Sequence, residues 1–136
     1  MFCLDTNVII GVMTRRAPHL DERLRAELFY GSRLLIPAPV LAELRYGAAK
    51  SVAPERNHAR LDDFLSAVPE IAAFDADDAH AAGDIRAYLE GHGKPIGPYD
   101  VLIAAQARRR GAILVTANRR EFDRVPGLMV TDWNDR

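Results

Sequence analysis

The sequence has a single cysteine, few lysines and no long apolar run, and each shortage excludes a class of protein. Cys3 is the only cysteine in 136 residues, so no disulfide forms within the chain. Its place in the short apolar run 2–4 indicates a buried thiol rather than a nucleophile. No apolar run approaches the roughly 20 residues of a membrane-spanning helix, and no secretory leader is recognisable. We therefore expect a cytoplasmic protein with no membrane association.

An excess of positive charge is also missing. The chain has 18 Lys and Arg residues against 19 Asp and Glu residues, and its formal net charge is -1. The molecule as a whole therefore does not attract nucleic acid, and any such site must be local. Lys50 and Lys94 are the only lysines. Arginine suits phosphates and stacked bases, but a GC-rich genome explains the same bias equally well.

Short apolar runs alternate with helical patterns along the whole chain. The length fits one domain, which we expect to span residues 1–136. Helical spacing is seen in two places, one formed by Leu61, Phe64, Leu65 and Val68 and the other by Ile85, Tyr88 and Leu89. The predicted strands are residues 2–4, 33–36, 71–74, 112–115 and 128–130.

This alternation predicts an α/β fold of three layers, with a central, mostly parallel sheet and helices on both faces. The polar segment 50–58, which contains Pro54, is predicted to be a loop or a corner between helices. No internal repeat interrupts the pattern.

Acidic and amide side chains follow the predicted strands. Asp5 comes directly after the first strand, Glu43 lies in the first turn of a helix expected to begin at Pro39, and Asp100 lies at the start of a later helix. Asn118 and Glu121 follow the strand that ends near Thr116. Open parallel sheets bind ligands at the carboxyl ends of their strands, so we expect these groups to converge there.

Each acid also has a structural explanation. Asp5 and Asp100 suit helix N-caps, and Glu43 suits the positive end of a helix dipole. Converging carboxylates repel one another, however, and raise one another's pKa unless a cation offsets them. Oxygen ligands favour Mg²⁺ or Mn²⁺ over zinc. The histidines, which have no ligand-like spacing, are expected to be surface or structural residues; they are His19, His58, His80 and His92.

The chain resembles PIN domains, and within them the VapC toxins. The resemblance is carried by the ordered motifs Leu4-Asp5-Thr6-Asn7, Glu43-Leu44-Arg45-Tyr46-Gly47, Gly97-Pro98-Tyr99-Asp100 and Val115-Thr116-Ala117-Asn118 with Glu121-Phe122. It implies a PIN-like fold and Mg²⁺- or Mn²⁺-dependent endoribonuclease activity. It also implies a VapB-type antitoxin as partner, an RNA substrate in which a tRNA anticodon loop is favoured, and a homodimer.

The resemblance assigns roles to individual residues. Asp5, Glu43 and Asp100 match the three acidic positions of the family, with Asp5 and Asp100 as metal ligands and Glu43 orienting or deprotonating a water. Thr6 matches a hydroxyl position beside the first acid. Thr116 and Asn118 are taken as supporting residues. Many members have aspartate where Asn118 stands, while others have an acid where Glu121 stands, so the number of metal ions stays open between one and two.

Two alternatives remain beside the ribonuclease. Haloacid-dehalogenase phosphatases also place an aspartate after the first strand, but they need a second one where this chain has Asn7. A non-catalytic RNA- or protein-binding module is the other alternative, against which the intact acidic set speaks. Five arginines lie on segments next to Asp100 and Glu121 and suit flanking phosphates: Arg108, Arg109, Arg110, Arg119 and Arg120. A solvated helix face explains the triplet 108–110 equally well.

Overall fold

The computed structural model describes residues 1–67 and 70–134, which contain a central sheet of parallel strands in the order β3-β2-β1-β4-β5. The strands are β1 (Phe2–Leu4), β2 (Leu34–Pro37), β3 (Glu70–Ala72), β4 (Ile113–Val115) and β5 (Met129–Thr131). In the register of the central pair, Leu4 lies beside Val115. β1 and β4 therefore end at the same level.

Helices connect every pair of consecutive strands in the described residues. They are α1 (Thr6–Met13), α2 (Pro18–Phe29), α3 (Ala38–Ala49), α4 (Pro54–Ala67), α5 (Ala76–Gly91), α6 (Pro98–Arg109) and α7 (Arg119–Phe122). The chain steps from β1 to β3 in one direction and from β4 to β5 in the other. Right-handed crossovers therefore carry the helices of the two halves to opposite faces of the sheet.

Local sequence explains where several helices begin. Pro18, Pro54 and Pro98 each stand in the first turn, where proline lacks only an N–H that the helix leaves unpaired in any case. Asp5 caps α1, and Asp75 with Asp78 forms a capping box at the start of α5. Within the described ranges, no helix combines the length and the apolar character needed to cross a membrane.

The core lies on both sides of the sheet. Cys3 belongs to it with no exposed surface, and burial raises the pKa of its thiol to about 11, which fits the predicted inert role. Completely or almost completely buried side chains from strands and helices pack around it, among them Leu4, Ile9, Ile36, Val40, Ile103, Leu114 and Phe122.

The predicted fold class is confirmed, and so is the corner between helices predicted within residues 50–58. The corner is shorter than predicted, because α3 ends at Ala49 and Pro54 already begins α4. Glu43 is not in a first turn, because α3 begins at Ala38 and Glu43 lies in its second turn. Val68, predicted to continue the apolar face of α4, lies outside the described residues.

The strand order places a topological switch point between β1 and β4. The connections from these two strands leave toward opposite sides of the sheet. Their carboxyl ends are therefore not covered by a crossover, and a cleft forms there. Asp5 directly follows β1 and Thr116 directly follows β4, so both stand at the mouth of this cleft.

Candidate active site

Asp5 is fixed in place from three directions. One carboxylate oxygen, Oδ1, accepts a hydrogen bond from the Thr6 N–H at 2.8 Å, which caps α1. The other, Oδ2, accepts from the Thr116 hydroxyl at 2.8 Å, and the Asp5 N–H donates to Val115 O at 3.0 Å. The residue is only 8% exposed. The capping interpretation is therefore correct for Asp5, and its second oxygen is also tied to β4.

Glu43 reaches the same place from α3. Its Oε1 accepts a hydrogen bond from the Thr6 hydroxyl at 3.2 Å. Burial raises the pKa of Glu43, the hydrogen bond from Thr6 partly offsets this rise, and the negative charge of Asp5 adds to it. Thr6 therefore links two acids, since its backbone contacts Asp5 and its side chain contacts Glu43.

Asp100 comes from the first turn of α6 and has the most perturbed pKa of the cleft. Gly97 is the residue that precedes the helix, so the capping interpretation of Asp100 is wrong. Burial, the charges of Asp5, Glu121 and Glu43, and a hydrogen bond with Glu121 raise its pKa to about 7. A side chain at Gly97 would place its Cβ 3.4 Å from Asp100 Oδ2, so the glycine leaves room for this carboxylate.

A chain of hydrogen bonds joins the remaining predicted residues to Asp5. The Thr116 hydroxyl, which donates to Asp5, accepts from the Asn118 N–H at 3.0 Å. The Asn118 side chain donates in turn to Glu121 Oε2 at 3.0 Å. Asn118 thus connects Glu121 to the chain of hydrogen bonds that begins at Asp5. The structure brings together all the residues that the sequence singled out for the site.

The four acids form what we call the acidic cleft, defined by Asp5, Glu43, Asp100 and Glu121. Within residues 1–67 and 70–134, none of them forms an ion pair with a basic side chain, although their charges influence one another. In the same ranges, no three Asp, Glu, His or Cys side chains are gathered closely enough to hold a metal ion as they stand. The metal site predicted from the sequence therefore stays a prediction.

A second acidic cluster, formed by Asp75, Asp77 and Asp78, explains two arginines of the 108–110 segment. Asp78 has no exposed surface, and its Oδ1 lies 2.7 Å from Arg109 Nε and 2.9 Å from Arg110 Nη1. Neither open interpretation of the segment, phosphate binding or a solvated face, describes these two residues. The acidic run after β3 can be read from the sequence. Its closeness to the end of α6 cannot, because the two segments are about 30 residues apart in the chain.

The PIN domain family profile matches residues 2–128. The tRNA(fMet)-specific endonuclease VapC of Salmonella typhimurium is 44% identical over 97% of this chain and 97% of its own. The enzyme of the same name from Shigella flexneri is 42% identical over 98% of each chain. The structure of VapBC2 from Rickettsia felis bound to a promoter DNA fragment superimposes with a TM-score of 0.90 at 36% identity, covering 97% of this chain and 98% of that one.

The fold, the acidic cleft at the switch point and these similarities define a PIN-domain nuclease. The chain belongs to the PIN-domain family and, within it, to the VapC toxin ribonucleases.

Proposed function

We propose that this chain, a single PIN domain over residues 1–136, is a divalent-metal-dependent toxin that cuts structured RNA in an exposed loop. The acidic cleft carries the proposal, because four carboxylates that have no basic partner among the described residues converge where an open parallel sheet binds its ligands. The relatives named as tRNA(fMet)-specific endonucleases favour a tRNA anticodon loop as the target. Splayed loop bases are what a shallow cleft can read. Such a substrate places the protein in the cytoplasm.

The donor set fits Mg²⁺ or Mn²⁺. Asp5 and Asp100 offer carboxylate oxygens, and a cation between them would offset the repulsion that raises the pKa of Asp100. Bound there, the metal would lower the pKa of a water and neutralise charge on the scissile phosphate. Asn118 contributes no charge, so the second metal position of the family would depend on Glu121 alone.

Glu43 is suited to take a proton from the attacking water. Burial raises its pKa toward neutrality, which makes its carboxylate a better base. Thr6 holds Glu43 beside Asp5 and acts as a positioning residue. The water oxygen forms a bond to phosphorus while the P–O3′ bond breaks, and O3′ leaves with a proton from solvent. Thr116 keeps Asp5 oriented from the opposite side.

An antitoxin of the VapB type is the proposed inhibitor. A groove of about 330 Å³ between α1, α3 and α4 begins at Glu43 and continues along an apolar wall formed by Ile10, Met13, Leu44, Ala48 and Leu61. An amphipathic helix of the antitoxin would lie in it. Tyr46 is not part of its lining; it is 65% exposed and lies under Lys50, whose Nζ is 4.7 Å from the ring centre.

From the groove, a basic side chain of the antitoxin would reach Glu43 and Asp5 and compete with the metal for the acidic cleft. The relatives crystallised as VapBC complexes support this pairing. A homodimer of the toxin is part of the proposal.

The test compares RNA cleavage by the purified chain in EDTA, Mg²⁺, Mn²⁺ and Ca²⁺, with RNA ends mapped on total tRNA and on an RNA duplex. We expect cuts in a tRNA loop with Mg²⁺ or Mn²⁺ only, and an intact duplex. Asp5→Asn should be inactive, and Asp63→Asn, which removes an exposed acid from α4, should be fully active. Cleavage that persists in EDTA, or in Asp5→Asn, would refute the proposal, and so would equal activity with Ca²⁺.

A further inference from the structure

A second concave surface lies beside the acidic cleft and has the opposite charge. We call it the basic groove; it has a volume of about 430 Å³ and is lined by Tyr88, Leu89, His92, Lys94, Arg120, Asp123 and Arg124. Nothing in the proposed chemistry uses it. Its walls come from the end of α5, the loop that follows, and the segment around α7.

The positive charge of the basic groove is available to a ligand. Lys94 and Arg120 are exposed, and in the described part of the chain neither side chain has a hydrogen bond or an ion pair. Arg124 uses one nitrogen, Nη1, to donate to Pro95 O at 3.1 Å. The single acid of the lining, Asp123, is paired with Arg119 at 3.8 Å, which reduces its opposing charge.

One end of the basic groove is aromatic. The rings of Tyr88 and His92 stack with centroids 4.1 Å apart and planes 30° from parallel. His92 Nδ1 lies 2.7 Å from Tyr88 O, which orients the imidazole. Tyr88 is 46% exposed, so part of its ring surface is open to a further planar group. Aromatic rings next to unpaired cations are the elements with which proteins bind single-stranded nucleic acid.

The basic groove and the acidic cleft are built on neighbouring segments of the chain. Arg120 is adjacent to Glu121 in α7, and Lys94 lies in the loop that leads to Asp100. The hydrogen bond from Arg124 to Pro95 ties these two segments together. A strand whose phosphate lay in the acidic cleft would therefore have its neighbouring nucleotides at the basic groove.

We propose that the basic groove holds the RNA strand that flanks the scissile phosphate, with Lys94 and Arg120 on its phosphates and one unstacked base on the Tyr88–His92 pair. This inference rests on the proposed function and adds the surface that binds the substrate. It also explains how a chain with a net charge of -1 would bind a polyanion, since Lys94, Arg120 and Arg124 form a local group of positive charges beside the acidic cleft.

The experiment measures RNA binding separately from cleavage. An anticodon stem-loop of initiator tRNA, labelled with fluorescein, is titrated with the Asp100→Asn protein over a range of salt concentrations. Lys94→Ala with Arg120→Ala should weaken binding about tenfold or more and reduce the slope of log affinity against log salt by about 1.4, the value for two phosphates of a single strand. The matched control, Arg16→Ala with Arg56→Ala, removes the same charge from exposed positions elsewhere and should change neither quantity.

The aromatic end has its own signature. Tyr88→Leu should weaken binding by roughly tenfold without changing the salt slope, because stacking releases no counterions. Tyr88→Phe should restore wild-type affinity. In the cleaving protein, the same substitutions should raise KM and leave kcat nearly unchanged.

The outcomes separate the two proposals. If the chain cleaves RNA but the basic-groove variants bind like the control variant, the basic groove is not the substrate surface and the ribonuclease proposal stands. If these variants instead lose affinity for the antitoxin and keep it for RNA, the basic groove holds a peptide and this inference is overturned. If the chain neither binds nor cleaves RNA with any metal ion, both proposals fail.

Discussion

The acidic cleft and the second acidic cluster differ in the charges that surround their carboxylates. The second cluster, formed by Asp75, Asp77 and Asp78, is called the Asp78 cluster below. Asp78 is completely buried, and contacts with Arg109 and Arg110 hold the pKa of its carboxyl far below the usual range, in spite of its burial. Asp100 is less buried and has acids as neighbours, so its pKa rises to about 7. Burial alone therefore does not decide the ionisation of an acid in this protein; the sign of the neighbouring charges does.

The two groups of acids also differ in whether their charge is offset within the protein. The Asp78 cluster is complete without a ligand, since arginine nitrogens and the Gln106 amide surround its carboxylate. In the acidic cleft, no basic side chain of the described residues offsets the repulsion between the carboxylates. Repulsion of this kind is typical of a site that binds a positively charged ligand.

The largest effect should be the loss of activity in the acidic cleft without a loss of stability. Asp5→Asn and Asp100→Asn should reduce RNA cleavage to the background seen in EDTA, and Glu43→Gln should reduce it by about 100- to 10,000-fold. Asp100→Asn and Glu43→Gln should melt in EDTA at or above the wild-type temperature, because repulsion is relieved. Calorimetry that showed a clear drop in Tm for these two variants would identify Asp100 and Glu43 as structural.

Asp78→Asn should show the reverse pattern. It leaves Arg109 and Arg110 beside a neutral group and should lower the free energy of unfolding by about 3 kcal/mol, the low end for a broken buried pair because both arginines are partly exposed. The control Asp77→Asn, at an acid whose side chain is 83% exposed, should be nearly neutral. Urea unfolding measures both. Equal stability of the two variants would contradict the contrast.

The two clusters should also differ in pH dependence. The pKa of Asp100 is raised from 3.8 to about 7, so ionised Asp100 destabilises the folded state. This destabilisation is absent below about pH 4 and grows until the pH has passed 7. At about 1.4 kcal/mol per pKa unit, the free energy of unfolding falls by at most about 4 kcal/mol.

The pKa of Asp78 is lowered, so its stabilising contribution is present above the unfolded value of 3.8 and is lost as the pH falls below it. Stability in EDTA between pH 4 and 8 should therefore fall less in Asp100→Asn than in wild type. An unchanged slope would show that Asp100 titrates normally.

The smallest effect concerns Thr6 as a positioning residue. Thr6→Val removes the hydrogen bond that lowers the pKa of Glu43 and should reduce kcat by roughly tenfold, the equivalent of one hydrogen bond. The acidic limb of the pH–rate profile should move to higher pH. Thr6→Ser should restore both. A fall in kcat with an unmoved profile would mean that Thr6 acts only through the fold.

Much of the architecture could be predicted because it depends on local pattern. Alternating apolar runs indicated the parallel sheet, and Asp5 was recognised as a residue suited to cap α1. The corner between α3 and α4 was predicted, but its extent was not, because Pro54 was taken as a break between helices and instead begins α4. The composition of the site was predictable as well, since Asp5, Glu43 and Glu121 come shortly after strands and Asp100 lies at the start of a helix.

The sequence by itself determined which residues carry acid, amide and hydroxyl groups, and that the strand ends would bring several of them together. Only the tertiary structure decided how they are connected. Thr116 and Asp5, far apart in the chain, share a hydrogen bond because β1 and β4 are neighbours at the switch point. Folding also brought Arg109 and Arg110 to Asp78, whereas Lys94 and Arg120 have no ion pair within residues 1–67 and 70–134. Electrostatic energy depends on distance in space, which sequence separation does not reveal.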